Sequence, residues 1–243
     1  SVHSGSRHDG TAGTGARIIP TTGFNEGILQ ISRDDTTVEW LEISGASETT
    51  FTRSGVRVIS GSDIYVRNNI VHDILDGGRG AGVVLQTGGS SRYVMNNFIY
   101  NIVNSADTHS QYGIFSGTSG SGAVIYCNTI YNISTPWGAA NGINVADTSE
   151  LVKDNIVLSC SGSSSSACYY TAGTASASSD YNLSDDTTAW GSNSVTSSDG
   201  ATAANTIANT SSGSEDLHLK SGSLALEAGV DLGTTPTGVE IDI

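Results

Sequence analysis

The centre of the chain carries short runs in which apolar and polar residues alternate. Residues 66–74, 94–102 and 125–133 nearly superimpose, and residues 152–160 keep the same frame. Alternation with a period of two, rich in Val and Ile, is typical of strands, and no window sustains the 3.6-residue period of a helix. The pattern therefore predicts an all-β chain built from a repeated unit.

Two further marks recur with the same period of about 27 to 31 residues. An Asn holds one slot of each unit, with Trp40 placed in that slot in the first unit: Asn69, Asn97, Asn128, Asn155 and Asn182. A Gly followed by an apolar residue is the second mark: Gly27, Gly55, Gly82, Gly113 and Gly142. Units of this size hold two or three short strands and bury their apolar faces only by stacking, which predicts a parallel β-solenoid rising about 4.8 Å per coil. Asn suits the sharp, often left-handed bend between strands, and stacked Asn side chains can hydrogen-bond along the solenoid as a ladder.

The repeated Asn-Asn-x-Ile-x-x-Ile units with Gly-Ile or Gly-Val starts resemble the right-handed parallel β-helix proteins of the pectate-lyase-like superfamily, of the secreted bacterial or phage-encoded type. The resemblance covers about residues 28–183, and residues 216–233 resemble the closing segment of such proteins. It implies a single right-handed parallel β-helix of about six coils. We expect residues 1–183 to form the coils, the first of them incomplete, and residues 184–243 to form a low-complexity last coil and a C-terminal cap.

Composition narrows the partners and the location. The formal net charge of −14 argues against nucleic acid and anionic membranes as partners, and no stretch approaches the roughly 18 apolar residues of a membrane span. The few charged residues and the abundance of Gly, Ser and Thr suit an extracellular, cell-surface or virion protein. The chain opens on Ser1 without a leader, so we expect a processed chain or a fragment. Because the first coil lacks a visible cap, another subunit could cover it, giving a trimer or end-to-end stacking.

The three cysteines leave one question open. Cys160 and Cys168 flank a Ser-rich loop and form either a local disulfide or two free thiols. Cys127 falls in an outward slot equivalent to that of Asn96, and we expect it to be a free thiol.

One corner of the coil varies in length, and its loops should stack on one side of the solenoid, where repeat proteins often bind ligands. Its candidate catalytic residues are Asp76, Arg79, Asp107 and His109, and its candidate sugar-binding residues are Tyr112 and Trp137. Two carboxylates about 5 to 10 Å apart perform glycoside hydrolysis, and a base with an Arg or Tyr serves a polysaccharide lyase. The alternative is that these are ordinary polar loop residues without a shared role.

A row of outward aromatic residues is a second candidate surface. Tyr100 and Tyr131 share a slot with His72 and should stack, either as a sugar-binding platform or as cross-strand packing that only steadies the sheet. Asp63, Asp73 and Asp147 make Ca²⁺ binding conceivable, although no calcium repeat motif is present; no other cofactor is predicted.

Two functional hypotheses follow. The first is an extracellular or virion-surface solenoid that binds a glycan or builds a spike or appendage. The second is a carbohydrate-active enzyme, a polysaccharide lyase or a glycoside hydrolase, with its site on the stacked loops. The catalytic motifs of the best-known enzymes of the resembling superfamily are missing, which favours the first.

Overall fold

The computed structural model describes residues 7–20, 26–48, 53–76, 78–86, 89–105, 108–117, 122–146 and 148–232. Almost all regular structure within them is β-strand, apart from a 3-10 helix at Ser197–Asp199 and the one-turn helix α1 (Ala203–Thr206). The strands are β1 (Ala16–Ile18), β2 (Glu26–Ile31), β3 (Thr37–Glu39), β4 (Leu41–Glu48), β5 (Arg53–Val58), β6 (Ile64–Arg67), β7 (Ile70–Asp76), β8 (Gly80–Leu85), β9 (Arg92–Met95), β10 (Phe98–Asn104), β11 (Gln111–Ser116), β12 (Val124–Tyr126), β13 (Thr129–Ser134), β14 (Ala140–Val145), β15 (Leu151–Lys153), β16 (Ile156–Ser161), β17 (Ala167–Thr171), β18 (Leu183–Ser184), β19 (Ile207–Asn209) and β20 (Asp216–Leu219).

Three parallel sheets run the length of the molecule. Sheet A has the order β1-β4-β7-β10-β13-β16-β18, sheet B the order β17-β14-β11-β8-β5-β2, and sheet C the order β15-β12-β9-β6-β3. The chain visits sheets B, C and A in turn and then starts the next coil, so each strand pairs with its equivalent one coil away. This confirms the predicted all-β parallel solenoid, here of about five turns.

The inward residues of the alternating pattern form one continuous core. One column of sheet A is fully buried and consists of Ile43, Val71, Ile99, Ile130 and Val157. Facing columns come from sheets B and C, for example Val83 and Val94, which are also fully buried. Burying each such side chain contributes about 1.5 to 3 kcal/mol, so the stacked columns supply the main driving force for the fold.

The recurring Gly marks the place where sheets A and B approach most closely. A Cβ on Gly113 would lie 2.6 Å from Cγ2 of Ile130 and 2.5 Å from the backbone oxygen of Gly142. Gly55, Gly82 and Gly142 meet the equivalent neighbours in their coils. The mark does not extend to the first coil, because Gly27 lies opposite Ser54 and not opposite Gly55.

The predicted Asn ladder is present. The Oδ1 atom of Asn97 accepts both the backbone N–H and the side-chain Nδ2–H of Asn69, each at 3.0 Å. The same pair of bonds links each ladder residue to the next as far as Asn182. All five Asn side chains are buried, so the ladder satisfies polar groups that have no access to water.

The left-handed bend, however, belongs to the residue before the ladder Asn. Asn68 has φ of 53° and Trp40 has φ of 60°, and the register places Trp40 opposite Asn68. The ladder ends at Leu41, whose backbone N–H donates to Oδ1 of Asn69. Placing Trp40 in the ladder slot was therefore wrong by one residue, because a Trp that marks the bend had been aligned with an Asn that follows it.

All three cysteines are free thiols. Cys160 and Cys168 lie close together at the end of the core, and Sγ of Cys168 lies 3.4 Å from Oδ1 of Asp185. Cys127 has φ of 54° and occupies the position equivalent to Asn96, as expected.

The C-terminal segment lies along the side of the solenoid. Leu217 and Ala225 are buried against outer-face residues of sheet A, among them Ile70 and Leu158. At the end of the core it is Trp190 that packs, 5.6 Å from the ring of Tyr169. The segment expected to form the cap thus has two parts. The part around Trp190, before the short helices, covers the end of the core, and the part after the helices packs along the side of the solenoid. In the part of the chain that the structure describes, no helix has the length and apolar character that crossing a membrane would need.

Candidate ligand groove along the asparagine corner

A groove runs beside the corner between sheets C and A. It consists of two adjoining cavities of about 450 and 300 Å³ that share Asn68, Asn96, Phe98 and His218 as lining residues. We call it the corner groove. Sites of this kind, concave and partly apolar with a few polar groups, are the default places to look for a ligand.

The floor of the corner groove is the column of left-handed residues, one from each coil. Its members are Trp40, Asn68, Asn96, Cys127, Asp154 and Tyr181. Consecutive members come from coils stacked about 4.8 Å apart, so the floor repeats along the solenoid axis with that spacing. It begins and ends on an aromatic ring and carries amide, thiol and carboxyl groups between them.

The N-terminal segment and the C-terminal tail form the walls. His8 joins the corner through its Nε2 atom, 2.8 Å from the backbone oxygen of Asn68, and its ring lies 5.6 Å from that of Trp40. Leu217, Leu219 and Ala228 of the tail line the opposite side.

The two walls meet where the cavities adjoin. The His218 ring stands edge-on to Phe98 at 5.4 Å and 84°. A Cβ on Gly10 would lie 2.5 Å from Nε2 of His218, and Gly10 also has φ of +96°. The left-handed backbone favours Gly at position 10, and the contact places the N-terminal segment against the tail beside Phe98.

Asp154 is the chemically unusual group of the corner groove. Its side chain is 7% exposed; Oδ1 accepts the backbone N–H of Val230 at 2.8 Å, and Oδ2 has no partner among the described residues. Burial raises the pKa of Asp154 to about 6, and it outweighs the opposing effects of the Val230 hydrogen bond and Lys153. A perturbed carboxyl group lining a cleft is a recognised sign of a functional site.

The charge of the lining is negative or neutral. Asp9 and Asp154 are its carboxylates, and in the described part of the chain no Lys or Arg lines either cavity. Burial lowers the pKa of His8, which favours its neutral form. The Nδ1 atom of His218 lies 2.6 Å from a carboxylate oxygen of Asp216, so any positive charge on this ring is compensated.

The described parts of the loops at the variable corner stack as predicted. Gln111 pairs with Gly80 on one side and with Ala140 on the other, which sets the loops in register. The hydroxyl of Thr135 donates to the backbone oxygen of His109 at 3.2 Å. Above this contact the Trp137 side chain is 64% exposed, and the Arg79 and His109 side chains are exposed as well. Asp107 and the side chain of Asp76 lie outside the described residues, so the predicted pairing of carboxylates remains a prediction.

The aromatic candidates sit in more enclosed places. Tyr112 is 7% exposed and packs against Phe115, with ring centroids 4.6 Å apart. Tyr100 stacks on His72 at 4.9 Å and 11°, as its register predicted, but only 5% of it is exposed. The hydroxyl of Tyr131 donates to the backbone oxygen of Thr210 in the tail. Tyr100 is therefore buried in a cross-strand stack, whereas Tyr131 is partly exposed and contacts the tail.

Sequence reasoning missed the corner groove. The register of the repeat alone places Asp154 in the slot of Asn96 and Cys127. An acidic residue in a slot that is otherwise neutral could have indicated a functional position at this corner. Nothing comparable indicates that His218 returns to Phe98, because that contact depends on how the tail folds back.

Among the described residues there is no group of three or more His, Cys, Asp or Glu side chains that could hold a metal ion. Of the three acids considered for calcium, Asp63 lies in the bend before β6, Asp73 lies in β7, and Asp147 is outside the described residues. Comparisons with protein-family models, with curated proteins and with solved structures found no match to this chain.

Proposed function

We propose that the protein is an extracellular or virion-surface β-solenoid that binds a glycan in the corner groove. Its relation to the pectate-lyase-like superfamily, and to the secreted bacterial or phage-encoded proteins of that type, is part of the same proposal. The observation that carries it is the floor of the corner groove, which offers one side chain per coil at one coil spacing.

The chemistry of the lining suits a sugar. Each Asn amide can donate to and accept from hydroxyl groups, which is what a polyhydroxylated ligand requires. Phe98, Ile156 and the tail leucines supply the apolar surface against which the C–H face of a sugar ring packs. A chain of linked sugars would lie along the solenoid axis and meet one corner residue per coil.

A structural role as a spike or appendage is supported by the first coil. Strands β2 and β3 are the outermost members of sheets B and C and pair on one side only within the described residues. An unpaired strand edge is a template for another strand, so a second copy of the chain is the natural partner. Light scattering across a range of concentrations tests this: a monomer at all concentrations would count against self-association.

The test of glycan binding is a screen on an array of microbial and algal oligosaccharides, read for retained protein. The matched variants are Ala228→Trp, which fills the corner groove, and Leu226→Trp, which adds the same ring to the tail where the side chain is 46% exposed and outside the lining. We expect Ala228→Trp to lose binding and Leu226→Trp to keep it. Binding that survives Ala228→Trp but is lost in Trp137→Ala would move the site to the variable corner.

The same array is read a second time for new reducing ends or unsaturated products. Turnover that disappears in His109→Ala would establish the carbohydrate-active enzyme with its site on the stacked loops. Neither binding nor turnover on any glycan would overturn the proposed function and leave the structural role.

A further inference from the structure

We infer that the corner groove selects uncharged glycans and discriminates against glycans built from uronic acids. This inference deepens the proposed function and rests on it. It follows from the sign and position of the charges around the corner groove rather than from its shape.

Carboxylates occur along both parts of the corner groove. Asp154 lines the larger cavity, and its buried side chain has one oxygen without a partner among the described residues. Asp9 lines the smaller cavity and is held by the backbone N–H of Thr11 and the hydroxyl of Thr14. An anionic sugar would approach these charges without a compensating cation in the lining.

The cationic side chains nearest to the corner groove, Lys153 and Arg7, do not make the charge of its lining positive. Lys153 adjoins Asp154 in the chain, but it belongs to sheet C and is absent from the lining. The guanidinium of Arg7 lies 4.7 Å from the ring centroid of Trp40, at the first-coil end of the corner groove, where it covers the ring. The two His side chains of the lining are neutral or paired with a carboxylate, as described above.

The expected size of the effect follows from Coulomb's law. At an effective dielectric constant of about 20, two like charges roughly 8 Å apart weaken binding by about thirtyfold without screening, and by about fourfold when the Debye length is also about 8 Å, as it is at physiological salt. The discrimination should therefore shrink in high salt, whereas affinity for an uncharged glycan should change little.

The experiment uses pairs of oligosaccharides in which each neutral glucan, mannan or galactan is matched with its C6-oxidised uronate form. Dissociation constants are measured for the full chain by titration calorimetry at pH 8, in 20 mM and in 500 mM salt. We expect the neutral member of the bound pair to be favoured by at least about fivefold in low salt. Equal or tighter binding of the uronate member would overturn the inference while leaving glycan binding in place.

Asp154→Asn tests the residue, and Asp34→Asn is its control. Asn keeps an acceptor for the Val230 N–H and tolerates the left-handed backbone, so the variant should fold. Asp34→Asn removes the same charge from a turn between β2 and β3, where an amide oxygen can still accept the N–H of Ser62. The ratio of the dissociation constants of the uronate and the neutral glycan should decrease in Asp154→Asn alone. An unchanged ratio in that variant, or an equal change in both variants, would refute the assignment of the discrimination to Asp154. No binding to either member of any pair would instead refute the proposed function.

Discussion

Replacing Asp154 by Asn should stabilise the protein at pH 8, and its effect on the free energy of unfolding should become less favourable as the pH falls. Burial raises the pKa of this carboxyl group from 3.8 to about 6, so the folded state holds the proton more tightly than the unfolded state does. The stabilising contribution of the proton is complete below the unfolded value of 3.8 and is lost as the pH rises through about 6. Above that pH the fold carries a buried, half-partnered carboxylate.

The magnitude follows from the shift. A difference of about two pKa units corresponds to about 3 kcal/mol at pH 8 and falls to about 0.5 kcal/mol at pH 4. The new Nδ2 group of Asn replaces the unpartnered Oδ2 and costs about 1 kcal/mol or more wherever it finds no acceptor. That cost is the same at every pH. The decisive quantity is therefore the difference between the effect of Asp154→Asn on the free energy of unfolding at pH 8 and its effect at pH 4. We expect Asp154→Asn to be about 2 to 3 kcal/mol more favourable at pH 8 than at pH 4.

Urea unfolding followed by Trp fluorescence measures this quantity for the wild type, Asp154→Asn and Asp34→Asn at each pH unit from 4 to 8. The Asp34→Asn profile should run parallel to the wild type. The reasoning about the buried carboxyl would be refuted if the free energy of unfolding of Asp154→Asn differed from that of the wild type by the same amount at every pH. It would also be refuted if the variant became less stable relative to the wild type as the pH rises.

Three further predictions concern the coil. Asn97→Ala should lower the free energy of unfolding by about 3 kcal/mol, because buried partners lose their hydrogen bonds, whereas Asn144→Ala on the outer face of sheet B should cost less than about 1 kcal/mol in the same urea titration. Gly113→Ala should cost about 2 to 3 kcal/mol through its clash with sheet A, while Gly173→Ala, with open space around it, should leave the melting temperature nearly unchanged. His72→Gln should cost more at pH 5.5 than at pH 9, since hydrogen bonds to two carboxylates raise the pKa of His72 and the stability it confers is lost as the pH rises through that value; equal costs at both pH values would contradict this.

Local sequence patterns predicted the coil well because each coil is formed by one short, continuous stretch of sequence that repeats in the next coil. The slot shared by Asn69 and Asn97 implied a ladder, and the ladder is there with its hydrogen bonds. Register failed only in the first coil, where Trp40 and Gly27 were each aligned one residue away from their true equivalents. Strands β2 and β3 of this coil pair on one side only within the described residues, so fewer stacked equivalents were available to fix the register of Gly27 and Trp40.

The corner groove could not be predicted in the same way, because it depends on contacts between residues far apart in the chain. His218 meets Phe98 and Gly10, and Val230 meets Asp154, yet the low-complexity tail carries no periodic signal that would set these pairings. A tail that packs laterally is fixed by individual hydrogen bonds and a few apolar contacts. Such contacts become visible only once the whole molecule is assembled.

Two buried groups of different chemistry, the carboxyl of Asp154 and the imidazole of His72, make the stability of this protein depend on pH in the same direction. Asp154 and His72 both have raised pKa values, so each binds its proton more tightly in the folded state. The contribution of Asp154 is lost as the pH rises from about 4 to about 6, and that of His72 is lost at a pH above its unfolded value of 6.5. His72 also links the N-terminal segment to the solenoid, because its Nε2 atom lies 3.0 Å from Oε1 of buried Glu42, whose Oε2 accepts the backbone N–H of Gly13. In the opposite direction, Asp73 has a lowered pKa through its hydrogen bond with His72, and its contribution is lost only as the pH falls below about 4. Asp154 and His72 should therefore lower the free energy of unfolding as the pH rises from about 4 to 8, and Asp73 should lower it as the pH falls below about 4. A free energy of unfolding that does not fall between pH 4 and pH 8 in the urea series would contradict this reasoning about Asp154 and His72.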